Sequence, residues 1–269
     1  ATATPGITGF TASGTNTIPS QNISNSTNAT GTVTYHVTPS GSINGCAGIP
    51  NDYVVNVHPE PVVLVAQTVL THCSGTTTNI ALSSNVAGTT FSWTASAPGS
   101  VTGFSNGTGN VIAQALANTS NAPHDVTYTI TPTYNGCSGN PLVVTVTVFP
   151  ATVLSVVPAF PVSCSGQNVV ISLVGNVPGI SFTWTASAVG NVTGYTNGSG
   201  STISQTLINN DNVPRLVTYA VMMSMNGCTN GPTNFIVTVN PIPAVTNNPV
   251  VSSQCSGATS NLALSSSVA

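Results

Sequence analysis

Apolar positions in this chain recur at every second residue. Val144, Val146 and Val148 alternate with Thr145 and Thr147; Val126, Tyr128 and Ile130 alternate with Thr127 and Thr129. Phe91, Trp93 and Ala95 do the same with Ser92 and Thr94. Alternation of this kind, rich in β-branched residues, describes strands buried on one face and wetted on the other. Turn pairs separate the runs at Ala87-Gly88, Asn106-Gly107, Asn135-Gly136 and Gly139-Asn140. No stretch carries a helical period. The pattern predicts about seven short strands, starting near Val62, Asn79, Thr89, Val101, Val111, Val126 and Leu142, with a tryptophan on the third. That is the pattern of an all-β, immunoglobulin-like sandwich.

The pattern then returns. CSGTTTNIALSSNVAGTTFSW, from Cys73 to Trp93, has its counterpart in CSGQNVVISLVGNVPGISFTW, from Cys164 to Trp184, and the pattern begins again at Cys255 as CSGATSNLALSSSVA, 91 residues apart each time. A second cysteine, in Asn-Gly-Cys, keeps the same spacing at Cys46, Cys137 and Cys228. Self-similarity at one period predicts a tandem array. Pro59, Pro150 and Pro241 mark the joints, which gives repeats at 60–150 and 151–241 and partial repeats at 1–59 and 242–269. Residues 1–10 align with Ala95–Phe104 at an offset of 94, so the chain is expected to be an excerpt that opens and closes in mid-repeat. The proline joints leave almost no linker and favour extended backbone.

Composition narrows the function. Charged residues make up 2% of the chain: Arg215 is the single cation, and Asp52, Glu60, Asp125 and Asp211 are the acids. Typical domains carry about 25%, so Thr, Ser and Asn must wet this surface. Nucleic acid is excluded as a partner, because phosphate binding needs clustered Lys and Arg. Polybasic attachment to membranes fails for the same reason, and no apolar run reaches the roughly 20 residues of a membrane-spanning helix.

The residues that might carry chemistry each have a plainer reading. His36, His58, His72 and His124 have no counterpart in other repeats, so they read as loop residues rather than bases or metal ligands. The acids are too sparse for paired-carboxylate catalysis or a calcium loop, and no nucleophile-elbow motif appears. No enzyme activity, cofactor or metal is expected. Trp93 and Trp184 alternate with Phe91 and Phe182 and so read as core rather than sugar platforms. Met222, Met223 and Met225 read as a local packing change. Seven glycosylation sequons, at Asn22, Asn25, Asn28, Asn106, Asn118, Asn191 and Asn197, arise readily in a chain this rich in Asn, Ser and Thr.

The shared signature reads CSG…I.L.S…GT.FSWTAS…VTG…NG.G..I.Q.L…VTYTITPT.NGC.G…VTVTV.P. It rests on Cys73/Cys164/Cys255, Trp93/Trp184, Tyr35/Tyr128/Tyr219 and Cys46/Cys137/Cys228. It resembles the PKD-like, immunoglobulin-like repeats of giant surface proteins of gliding Bacteroidota, the SprB-type adhesins. The resemblance covers the whole chain. It implies export through the type IX machinery of the outer membrane and display at the cell surface as long filaments that hold or space attachment to a substratum. The export signal expected at the far C-terminus of such a protein is absent from these residues.

Six cysteines fit an oxidising extracellular setting. Two per repeat lead to one bridge per repeat, Cys73–Cys137 and Cys164–Cys228, with Cys46 and Cys255 paired outside the excerpt. Each bridge would close 64 residues, worth roughly 4 kcal/mol in the chain-entropy model. Cys46–Cys73, between repeats, is the rival pairing, and free thiols are a third state. The intra-repeat choice carries a difficulty, since an ideal alternation of seven strands puts the first turn and the last hairpin at opposite ends. Two functions stay open. One is a structural filament module that spaces an adhesive tip from the cell. The other is direct contact with polysaccharide or a solid surface through loop aromatics such as Phe104 and Tyr195, for which exposure would speak and burial would not. A secreted matrix or sheath that packs sideways is a third, weaker reading.

Overall fold

The computed structural model describes residues 1–41, 45–246, 253–259 and 263–268. The chain divides into two compact units, 1–150 and 151–269. Every regular element among the described residues is a strand, as the two-residue period requires. The first residue of the Asn-Gly-Cys motif at Cys46, and part of the repeat beginning at Cys255, lie outside the described residues.

In residues 60–150 the larger sheet runs in the order Gly107–Thr108, Thr90–Ser96, His124–Tyr134, Leu142–Phe149 and Val69–Cys73. Its inward side chains are the alternating apolar set: Phe91, Trp93, Val126, Tyr128, Ile130, Val144, Val146 and Val148 are all buried. Shorter pairings close the opposite layer, Val63–Leu64 with Ser83–Ser84, Ile80–Ala81 with Val111–Ile112, and Ala115–Asn118 between Val101–Thr102 and Thr76–Thr77. Val63, Ile80, Leu82, Val101, Ile112 and Leu116 fill the core from that side. The outward rows stay hydroxylated: Ser96 faces Thr127 and Thr127 faces Thr145 across the sheet. This is a β-sandwich.

One strand departs from the seven expected. The first strand does not end near Leu64 but crosses over, and Val69–Cys73 joins the larger sheet parallel to Leu142–Phe149, with Cys73 in register with Phe149. Residues 151–269 repeat the device. Leu154–Val157 pairs with Asn168–Gly175, then Val162–Cys164 runs parallel to Cys228–Asn240. Pro158 and Pro161 stand at that crossing, where a missing N–H ends one pairing before the next begins. The larger sheet there continues through Arg215–Met225, Ser181–Val189 and Gly198–Ser199. Met223 and Met225 are buried, and the register shifts between Val221 and Met223, so the methionines accompany a local repacking. Val245 bridges Ser266 in the last segment at the positions that Leu154 and Gly175 hold 91 residues earlier.

Residues 1–59 keep part of the same plan. Thr2–Ala3, Gly31–Val37 and Asn51–Val57 form one sheet over Ile7, Val33 and Tyr35. Within residues 1–150 this segment meets the next repeat through named contacts. Thr30 Oγ1 lies 2.8 Å from His58 Nδ1 and 3.4 Å from the Tyr134 hydroxyl, and the His58 and Tyr134 rings meet edge to face at 5.7 Å. Asn85 donates to the Asn28 side-chain carbonyl at 2.9 Å.

A glycine after a Val-Thr or Ile-Thr pair is required at three repeat-equivalent positions, Gly9, Gly103 and Gly194. Gly103 has φ +88°, and a Cβ there would lie 1.9 Å from the Ala115 carbonyl oxygen; Gly194 and Gly9 are placed alike. Gly103→Ala is expected to cost on the order of 3 kcal/mol from backbone strain and forced separation of the layers. Gly99→Ala, where a Cβ meets nothing within 4 Å, should be close to neutral. Urea unfolding of the two variants checks the contrast.

Candidate functional site

Two constellations recur with the repeat. The first presents the strand-end cysteine. After Cys73 the chain leaves the larger sheet through Ser74 and Gly75, whose φ is +84°. The Ser74 N–H donates to the Phe149 carbonyl at 3.0 Å and the Gly75 N–H to the Leu116 carbonyl at 2.7 Å, which turns the chain from one layer to the other. The Asn118 N–H donates to Ser74 Oγ at 2.9 Å. The Asn118 side-chain amide donates to the Ala122 and Val148 carbonyls at 2.7 and 2.9 Å. Ser165 and Asn209 reproduce these bonds beside Cys164, and Asn25 repeats the amide clamp. The Cys-Ser-Gly motif is therefore a fixed corner with the thiol held at the end of a strand.

The second constellation surrounds the indole. Trp93 Nε1–H donates to the Ser105 carbonyl at 3.1 Å, and Gln114 Nε2 donates to the same oxygen at 2.8 Å. Gln114 Oε1 accepts from the Tyr128 hydroxyl at 2.8 Å and from the Ser105 N–H at 3.0 Å. Trp184, Thr196, Gln205 and Tyr219 form the same set. Gly107 and Gly198 lie under the rings, where a Cβ would come within 2.6 and 2.5 Å of the indole. Burial pushes the phenols of Tyr128 and Tyr219 up to about 12. Gln21 accepts from Tyr35 at 2.7 Å in the first repeat. Sequence reasoning passed over Gln114 and Gln205, although a polar residue recurring between Ile112 and Leu116 was the available signal.

The aromatic residues that recur with the repeat are thus directed inward, whereas Phe160 and Tyr53, which do not recur, are exposed. Trp93 and Trp184 are buried, and Phe104 and Tyr195 are half-buried against their own cores. Burial of that pair counts against their use as stacking platforms. Several sequons are committed as well. Asn118 is buried, Asn25 holds the same clamp, and Asn106 and Asn197 each accept a backbone N–H at 2.8 Å.

His36 does have a carboxylate, contrary to its reading as a loop residue without partners. It lies directly across the strand pair from Asp52, with Nδ1 2.6 Å from Oδ1, and Thr2 Oγ1 stands 3.4 Å from Nε2. The strand register joins residues that are 16 apart in sequence. Both partners are about half exposed, and the pair occurs in one repeat only, where later repeats have Thr129 and Val143. Among the described residues, no three of His, Cys, Asp and Glu come together as a metal site. Asp211 accepts from Arg215 Nε and from the Asn191 N–H; that backbone bond first, then the guanidinium, lowers its carboxyl below the ordinary value.

The cysteine pairing expected inside each repeat is not formed. Cys137 and Cys164 are exposed free thiols, as are Cys46 and Cys255, whereas neither Cys73 nor Cys228 is a free thiol. The reason is distance. Cys73 is level with Phe149 and hence with Pro123, whereas Cys137 pairs with Tyr134, eleven residues further along the same strand direction. At about 3.3 Å per residue that is roughly 35 Å, against the 7 Å or less between Cα atoms that a disulfide tolerates. Cys164, level with Asn240, and Cys228, paired with Met225, are separated in the same way.

The sequence as a whole matches the model of one family, the PKD-like domain, over residues 1–61, 70–152 and 161–243. The chain belongs to that family. Among solved structures, similar chains include DIP-gamma IG1+IG2 (12% identity, TM-score 0.33, 68% of this chain and 98% of that one). Others are the fibronectin(III)-like modules of Clostridium thermocellum CbhA (9%, 0.29, 67% and 95%) and human mucin-like protocadherin EC1-2 (10%, 0.29, 68% and 99%). Comparison with curated proteins gives no significant match.

The buried phenols set a pH dependence. An unfolded tyrosine ionises near 10, so between about 10 and 12 the unfolded chain loses protons that Tyr128 and Tyr219 retain in the fold. Stability is therefore expected to fall as pH rises through that window. Thermal unfolding across it should show the loss, smaller in the Tyr128→Phe, Tyr219→Phe double variant.

Proposed function

We propose that these residues are a spacer segment of a long cell-surface filament, of the kind the gliding-adhesin resemblance implies. Its work is to hold an adhesive element away from the envelope. The observation that carries this reading is the inward use of every recurring aromatic residue. Trp93, Trp184, Phe104 and Tyr195 serve their own cores, and the outward rows of the larger sheet, such as Ser96, Thr127 and Thr145, are neutral and hydroxylated. Such a face neither repels its neighbours nor depends on ionic strength, unlike a charged one. Strand spans of about eleven residues give each repeat a length of roughly 35–40 Å, so many repeats reach far beyond an outer membrane. Contact between repeats inside residues 1–150 is made by specific side chains rather than by a loose linker. Export by the type IX route, mobility along the cell and partnership with the gliding machinery belong to the same proposal. Polysaccharide or a solid substratum would then meet another part of the protein.

The test is live-cell labelling with an antibody fragment raised against residues 60–241. An adhesin filament gives label that travels along the cell and a fragment that blocks attachment to glass. An immobile coat with attachment unchanged would sink the adhesin reading and leave a passive sheath.

A further inference from the structure

At one place the smaller layer is closed in the later repeat and open in the earlier one. In residues 151–269 the first strand keeps its pairing up to the crossover, with Val156 opposite Leu173 and Val157 opposite Ser172. The equivalent pairs 91 residues earlier are Val65 with Leu82 and Ala66 with Ala81. Neither forms. The ladder there holds only Val63 with Ser84 and Leu64 with Ser83, the chain bends at Ala66, and no backbone hydrogen bond joins Ala66 to Ala81. The strand that joins the larger sheet starts at Val69, two residues ahead of the place equivalent to Val162, where its counterpart starts. What the larger sheet gains, the smaller one loses.

The gap is a groove of about 400 Å³, a size at which folded proteins commonly hold a ligand. Ile80 is its buried floor, Val65 and Leu70 are half-buried beside it, and Leu64, Gln67 and Asn79 are exposed at the rim. One wall is an open strand edge. The Leu82 N–H donates to Asn110 at 2.8 Å and the Thr78 N–H to Gln114 at 2.9 Å, both on the side away from the groove. Alternation along the strand then turns the N–H and C=O of Asn79 and Ala81 into it. Among the described residues, no charged side chain lines the groove.

We propose that the groove takes an extended, uncharged peptide segment, added as a strand along Asn79–Ala81 with an apolar side chain lowered onto Val65, Leu70 and Ile80. The later repeat supplies the template, because its own Leu154–Val157 fills the equivalent place and gives Ser172 the partner that Ala81 is without. Strand addition takes affinity from backbone bonds and selectivity from alternate side chains. A charged segment would lose its hydration there with no counter-ion to replace it. The proposal does not rest on the spacer reading, since the edge at Ala81 is open whatever the array carries.

The probe is a capped peptide, TVLSVVPA, copying residues 152–159, titrated into the isotope-labelled chain and followed by amide NMR. Saturable shifts at Asn79 and Ala81 are expected. Ala81→Pro removes only an N–H that faces the groove, a substitution that an open strand edge accepts. It should weaken binding about tenfold or more. Peptides methylated on one or the other alternate set of backbone nitrogens need no variant to fold, and one set should abolish binding. Retained binding by both methylated peptides would mean that apolar burial alone holds the probe and would overturn the proposal. Shifts at Ser172 and Leu173 in place of Asn79 and Ala81, or no saturable binding at millimolar peptide, would overturn it too.

Discussion

The parallel addition of Val69–Cys73 beside Leu142–Phe149 is the pairing on which the rest of each repeat depends. A first strand that stayed in the smaller layer would leave the edge of the larger sheet open beside Leu142–Phe149, with unpaired N–H and C=O groups along it. By crossing over, the chain covers that edge and brings Cys73 level with the repeat's last residues. The Ser74-Gly75 corner then fixes where the next segment begins. The position of the thiol, the closure of the sheet and the entry into the second layer are therefore one structural event. Cys164, Ser165 and Gly166 show it again, with the Ser165 N–H donating to Asn240 at 2.8 Å and the Gly166 N–H to Leu207 at 2.8 Å.

A chain with 2% charged residues must build its interior polar contacts from amides and hydroxyls. Asn118, Asn209, Gln114 and Gln205 do this work, and each satisfies backbone groups that the short strands of the smaller layer leave unpaired. A net bond of this kind is worth only about 1 kcal/mol, but a buried partner left unsatisfied costs roughly 1–3 kcal/mol. The clamps therefore act mainly by excluding alternative loop arrangements. Being neutral, they are indifferent to salt, which screens exposed charges and leaves buried neutral bonds alone.

Much of this was legible in the residues. The two-residue period located the strands of the larger sheet, because each is long enough to show three or four alternations. The 91-residue spacing identifies equivalent positions in the sequence alone. The smaller layer was harder, since pairings of two residues carry almost no periodic signal. The crossover was missed for a related reason: Val69–Cys73, VLTHC, is short and follows a turn that contains no glycine. The ion pair of His36 with Asp52 depends on strand register, which a single sequence does not display. The indole cluster was half visible, as a buried tryptophan without its glutamine.

The failed cysteine pairing follows from the missing strand. A strand alternation read from sequence does not fix the height of Cys73 along the sandwich. Once it is in register with Phe149, the parallel ladder sets its height along the sandwich and the antiparallel ladder from Phe149 to Tyr134 sets that of Cys137. No relaxation of side chains closes a gap of roughly 35 Å. Inside residues 1–150 the first repeat meets the second through the His58 and Tyr134 rings, so packing there depends on the neighbour as well as on the repeat itself.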